Sequence, residues 1–195
     1  MLSPGFFRCH SQRVSTDAGA TWTALDSTLP PTTFTTSGSG WVRQSVVPLP
    51  LVLGSSDPDV LYVGTFSSIT VSGTGVPDDR ASGVFRSDDG GATWVQRSGG
   101  LPRVGSFTNV VVDVLAMAIH PADDDVLWAT TYDLDGGATI PPLHKTIDGG
   151  LTWLPSATGI PPGIDLRALI VDPGDPDILY ASGYFPSGDD GSGSF

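Results

Sequence analysis

Ser87-Asp88-Asp89-Gly90-Gly91-Ala92-Thr93-Trp94 is the stretch on which the fold turns. It has two relatives in the same chain, Ser15-Thr16-Asp17-Ala18-Gly19-Ala20-Thr21-Trp22 and Thr146-Ile147-Asp148-Gly149-Gly150-Leu151-Thr152-Trp153. The shared pattern is Ser/Thr-x-Asp-x-Gly-x-Thr-Trp, opened by Ser15, Ser87 and Thr146. Self-similarity of this kind marks a repeat architecture. Asp17, Asp89 and Asp148 can accept hydrogen bonds from nearby backbone N–H groups and close a tight turn. Gly19, Gly91 and Gly150 permit the positive φ of a hairpin turn. Thr then Trp restart a strand, and Trp22, Trp94 and Trp153 each offer a large apolar face, which assigns them to the core. Each copy therefore predicts the turn of a β-hairpin. The competing reading is a carboxylate or calcium site, and three near-identical copies weigh against three active sites.

A second repeat runs in phase with the first. Gly54-Ser55-Ser56-Asp57-Pro58-Asp59-Val60-Leu61-Tyr62 aligns without gaps on His120-Pro121-Ala122-Asp123-Asp124-Asp125-Val126-Leu127-Trp128. Both align on Asp172-Pro173-Gly174-Asp175-Pro176-Asp177-Ile178-Leu179-Tyr180. An apolar run precedes each and a small-residue run follows, which reads as strand, Asp/Pro turn, strand. A third marker is the Pro eight residues after each repeat Trp (Pro30, Pro102, Pro161), always behind Leu or Ile. One unit is thus apolar strand, Asp/Pro turn, Leu-aromatic strand, variable loop, third strand, octapeptide turn, fourth strand, Leu-Pro exit. Four strands in roughly 50 to 70 residues is the size of a propeller blade.

By this count residues 1–30 hold the second half of a blade, 40–102 and 108–161 complete blades, and 164–195 the first half of another. The expected fold is all-β, a segment of about three four-stranded antiparallel blades. Closed propellers have about 4 to 8 blades. Two organisations fit: a fragment of a longer protein, the favoured reading, or a homodimer closing a six-bladed ring, each first half pairing with the other copy's last half.

Composition agrees with an all-β chain. All 21 acidic residues are Asp, and Lys occurs once. Glu and Lys favour helices, whereas Asp favours turns. The formal charge of −12 would repel a phosphate backbone or an anionic membrane surface, so neither nucleic acid nor membrane is an expected partner. Cys9 stands alone and forms neither an intrachain disulfide nor a cysteine zinc site. No signal peptide is visible at the N-terminus.

The octapeptide resembles the Asp-box, or BNR repeat, of β-propeller proteins: sialidases, the xyloglucanase family of glycoside hydrolases, sortilin-type receptors and a photosystem II assembly-factor type. In those families the box lies on the propeller rim between the third and fourth strands of a blade and marks the fold rather than the chemistry. The resemblance implies an extracellular or periplasmic protein and a polysaccharide or a protein or peptide as ligand. It implies no cofactor.

The chemistry is bounded by what is missing. A sialidase site needs a Glu beside its Tyr nucleophile, so none is complete here, and any glycosidase using Glu is excluded. The xyloglucanase-like family inverts with two Asp residues, and inversion needs carboxyl groups about 6.5–9.5 Å apart. In that family they come from two propeller domains, so this segment would hold one at most, and the motif fixes no catalytic residue. Asp78-Asp79, Asp123-Asp124-Asp125 and Asp189-Asp190 show no EF-hand spacing and read as solvated turns. Asp133-Leu134-Asp135-Gly136-Gly137 is the best metal candidate, and a weak one; no metal site is expected. His10, His120 and His144 are scattered, with His120 at a turn position. Trp41, Phe66 and Tyr132 read as packing, with a sugar-stacking platform as the alternative.

Overall fold

In a computed structural model the described residues are 13–24, 29, 33–37, 40–72, 82–103, 111–132, 140–161 and 163–185, with backbone alone for residue 24, 33–49 and 67–72. Among them every regular element is a strand and every pairing is antiparallel.

The strands form four sheets. A hairpin comprises β1 (Arg13–Val14) and β2 (Thr23–Ala24). The next sheet runs β3 (Thr33–Ser37), β4 (Gly40–Leu53), β5 (Leu61–Ser72), β6 (Val84–Ser87) and β7 (Val95–Gln96), in chain order. A third follows the same meander through β8 (Asp113–His120), β9 (Asp123–Tyr132), β10 (Leu143–Thr146) and β11 (Leu154–Pro155). A final pair is β12 (Asp165–Val171) with β13 (Leu179–Tyr184). The chain is all-β, and its sheets have the order and size of propeller blades.

Two details differ from expectation. The first complete sheet has five strands, because β3 pairs with the long first half of β4. The second strand of this unit also runs on where a variable loop was expected, residues 67–72 continuing β5 against 41–46. Thr70 and Val71 favour a strand, and the serines among them are held in the sheet by the β4 backbone opposite.

A meander places alternate connections at opposite ends. The Asp/Pro turns and the octapeptide turns share one end, and they are joined there: Gly90 N–H donates to the Asp59 carbonyl at 2.9 Å, and Gly149 N–H to the Asp125 carbonyl at 3.0 Å. The third strands begin at the other end, at Val84 and Leu143. Gly54 N–H to Val60 O (2.7 Å) and Asp172 N–H to Ile178 O (2.9 Å) close the Asp/Pro turns alike.

The core lies between sheets. Tyr62, Val84 and Leu101 of the five-stranded sheet pack with Val111, Val114, Met117, Leu127 and Trp153 of the next. Trp128, Leu143 and Ala118 pack in turn with Leu166 and Leu169 of β12. Leu29 packs on Val63, Phe85 and Trp94. Leu29 against Trp94 and Leu101 against Trp153 make the same contact, an exit Leu on the next sheet's repeat Trp.

Candidate functional site

The octapeptide turns have one hydrogen-bond pattern. In the copy 87–94, Ser87 Oγ donates to Asp89 Oδ1 (2.8 Å) and accepts from Gly91 N–H (2.8 Å). Asp89 Oδ1 accepts from Thr93 N–H (2.8 Å), and its Oδ2 from the Thr93 hydroxyl (2.5 Å). Asp17 takes the same bonds from Ser15 and Thr21, and Asp148 from Thr146 Oγ1 and Thr152 N–H. Hydrogen bonds led by the Thr21 hydroxyl hold the Asp17 carboxyl down at about 2, and those from Thr93 and Thr152 depress Asp89 and Asp148. These carboxylates are bonded within their own turns.

The tryptophans differ in surroundings. Trp94 and Trp153 are buried, whereas Trp22, assigned to the core from the sequence, is 57% exposed. Its indole N–H bonds to the carbonyl of Gly19 in its own turn, and among the described residues no neighbouring sheet packs on the ring. Trp153 instead reaches across a joint: its indole N–H donates to Arg97 O (2.8 Å) and its main-chain N–H to Gly99 O (2.7 Å).

Of Asp123, Asp124 and Asp125, expected to be solvated, Asp123 and Asp125 are exposed and Asp124 is not. Asp124 is buried and accepts from the N–H groups of Ser55, Ser56 and Asp57 and from the Ser56 hydroxyl. Burial, the largest single influence, would raise its pKa; the bonds from Ser56, Ser55 and Asp57 together outweigh it and lower it. Asp125 forms an ion pair with Arg86, whose Nε also binds Asp88 at 2.7 Å. Arg86 lies over the Tyr62 ring at 5.3 Å and donates to its hydroxyl at 2.7 Å, and that hydroxyl donates to Asp124 O at 2.9 Å. Burial pushes the Tyr62 phenol up to about 12, so it remains protonated. This cluster joins two sheets, and its exposed carboxylates Asp88 and Asp125 are both paired with Arg86. Lys145 over Trp128 at 4.7 Å repeats the cation–aromatic stack one sheet later. His120 caps its turn by accepting Ala122 N–H on Nδ1, as Asp172 accepts Gly174 N–H.

The opposite end offers a different set. Cross-strand register places Tyr132 opposite Asp113 and Tyr184 opposite Asp165. The Arg167 guanidinium lies 5.9 Å from the Tyr132 ring and 5.7 Å from the Tyr184 ring. It donates to Asp165 Oδ2 at 2.6 Å and to Tyr184 Oη at 3.3 Å. The Asp165 bond, first among its causes, raises the Arg167 pKa. Asp165 is fully buried, and no described group donates to its Oδ1, while the Arg167 side chain is 48% exposed. A half-open guanidinium between two phenols, backed by a carboxylate, can bind hydroxyl-rich or carboxylate-bearing ligands and stack on a flat ring face. Tyr132 was singled out from the sequence; Asp165, Arg167 and Tyr184 were not. The available signal was the repeat itself, since Phe66, Tyr132 and Tyr184 stand at one position of the unit.

A depression of about 320 Å³ opens nearby, lined by Ile140, Pro141, Pro155, Ala157, Thr158 and Ile160 among others. None of these side chains ionises, so it supplies no acid or base. Among the described residues no cluster of three or more His, Cys, Asp or Glu could hold a metal. Asp133 to Gly137, Asp78-Asp79, Asp189-Asp190, His10 and the Trp41 side chain lie outside what the structure describes.

No family model and no curated protein matches the chain. Among solved structures it is similar to the GH74 xyloglucanase from Xanthomonas campestris, at 16% identity and a TM-score of 0.38. The match covers 69% of this chain and 26% of that one, so the chain spans about a quarter of its length.

Proposed function

We propose that this chain is a segment of an Asp-box β-propeller related to xyloglucanase-type glycoside hydrolases, and that it binds a polysaccharide of the β-glucan class without completing a catalytic centre. The three octapeptide turns with one bonding pattern support the propeller reading. The observation that carries the ligand is the Tyr132–Arg167–Tyr184 stack over Asp165. Aromatic faces suit the apolar faces of pyranose rings, and the free donors of Arg167 suit ring hydroxyls. Inversion needs two carboxyl groups with a water between them; the octapeptide carboxylates are bound in their turns, and Asp165 is held by Arg167. Binding without release of reducing ends is therefore expected from this chain alone.

Affinity electrophoresis in xyloglucan gels tests this. The protein should be retarded, and Arg167→Ala or Tyr184→Phe plus Tyr132→Ala should weaken binding about tenfold, or about 1.4 kcal/mol. Migration unaffected by xyloglucan and by other β-glucans would refute the ligand class.

A further inference from the structure

Among the described residues the five-stranded sheet alone carries a three-stranded arm. Its strand β6 pairs with β5 only as far as Val84 against Gly64. Beyond that level β4 and β5 run on together, residues 41–46 against 67–72, and β3 pairs with residues 40–44 of β4. Phe66 of β5 matches Tyr132 and Tyr184 in the repeat, so the arm starts at the end of the molecule that holds Arg167. β5 continues to Ser72, which carries the arm about 20 Å past Phe66 at ~3.3 Å per residue.

Backbone register fixes which residues of the arm share a face. Directly opposed residues of an antiparallel pair lie on one side, and neighbours along a strand alternate. Trp41 stands between Thr36 and Ser72, and Arg43 between Phe34 and Thr70. These two rows make one face. Val42 opposite Val71, and Gln44 opposite Ile69, belong to the other. The first face is aromatic, cationic and hydroxyl-bearing; the β4 and β5 positions of the second are mainly aliphatic. Alternation along β5 puts Thr70 and Ser72 on the same side as Tyr62 and Gly64. Tyr62 packs with the next sheet, and a Cβ on Gly64 would collide with Val114 there. The face of Trp41 and Arg43 is therefore on the side of the sheet that carries Tyr132, one half of the Arg167 stack.

We propose that this face is a second contact for one polysaccharide chain: a β-glucan lying across the Tyr132–Arg167–Tyr184 stack continues along the arm over Trp41 and Arg43. The proposal rests on the polysaccharide reading of the Arg167 site. An aromatic ring suits the apolar face of a pyranose. A guanidinium has five N–H donors for ring hydroxyls, and Ser and Thr hydroxyls both donate and accept. Two contacts on one ligand reinforce each other, because the second is made intramolecularly once the first is in place. The length of the arm makes this a site for polymers. A ligand of a few rings engages one contact, and a long chain engages both.

Calorimetric titration with polymeric xyloglucan and with its single-repeat oligosaccharide, both counted per repeat, tests this. The unmodified protein should bind the polymer at least about tenfold more tightly. Trp41→Ala should abolish that length preference and Arg43→Ala should reduce it. Trp41→Phe keeps a ring at the position and should retain most of it, which separates stacking from folding. Gln44→Ala, on the opposite face, should keep it entire. Equal affinity for polymer and oligosaccharide, a preference indifferent to Trp41→Ala, or an equal loss in Gln44→Ala would each overturn the proposal. So would a dimer by light scattering that Trp41→Ala dissociates without changing xyloglucan binding, since the face would then be a contact between copies. Failure of the unmodified protein to bind either ligand would instead refute the reading of the Arg167 site, and this proposal with it.

Discussion

Position four of the octapeptide looks free in the sequence, holding Ala18, Gly90 and Gly149, yet the backbone there is left-handed in all three copies, with φ of +56°, +67° and +65°. A Cβ in that region costs about 1–2 kcal/mol. Ala18→Gly should therefore raise the stability of the first turn by up to about 1 kcal/mol, after the loss to unfolded-chain entropy. Gly149→Ala should do the opposite and more, because a methyl there meets Arg86 Nη1, Asp125 Oδ1 and Tyr62 Oη as well; a loss of about 2–4 kcal/mol is expected. Gly90, facing Asp59 Oδ1 at 3.5 Å, should tolerate Ala better. Chemical denaturation of the three variants checks the ranking.

His144 is the second residue-scale case. It is 1% exposed, its Nδ1 lies 3.3 Å from Thr131 Oγ1, and burial holds its pKa down to about 4 from 6.5. The unfolded chain takes up a proton near pH 6.5 and the folded chain does not until about pH 4. Stability contributed by the neutral imidazole is therefore complete above the unfolded value and is lost as pH falls through that window, by about 2–3 kcal/mol. The matching residue one sheet earlier is Phe85. His144→Phe should flatten the stability profile between pH 6.5 and 4, since Thr131 keeps its bond to Pro141 O at 2.8 Å. Urea midpoints measured across that range report it.

At the scale of the element, legibility followed the reach of each bond. The octapeptide turns close on themselves over four residues, so a local pattern contains the whole cause, and the Asp residues and glycines could be read directly. Asp124 could not. Its donors lie 67 to 69 residues away, and the only local sign was that it replaces a Pro: the aligned positions are Pro58 and Pro176. Asp124→Ala should leave the Ser55, Ser56 and Asp57 N–H groups without their acceptor and destabilise the joint by about 1–3 kcal/mol. Asp124→Pro, the repeat's own residue, should cost no less, because the carboxylate and not the turn makes the contact. Thermal unfolding of both variants decides this. Trp22 was misread for a related reason: a repeat Trp is buried by the neighbouring sheet, not by its own strand. The Arg167 cluster joins β9, β12 and β13 and so had no signature in any single stretch.

Across the whole molecule one joint recurs, with exit Leu on repeat Trp, and the sheets add in series. Blade number and sheet order were readable because three phased repeats report them redundantly. The fifth strand was not, since residues 33–37 lie outside the three phased repeats. Composition was informative in a different way. With Asp as the only acidic residue, most of the described carboxylates sit in or beside turns. The seats for Trp153 are two main-chain carbonyls, not side chains. A joint made through the peptide backbone constrains few side chains, Gly99 and Gly100 excepted because a Cβ there would meet the backbone of the next turn, and a duplicated unit inserted in register would find its berth ready-made. Such a lineage can lengthen or shorten by whole repeats while its side chains drift almost beyond recognition.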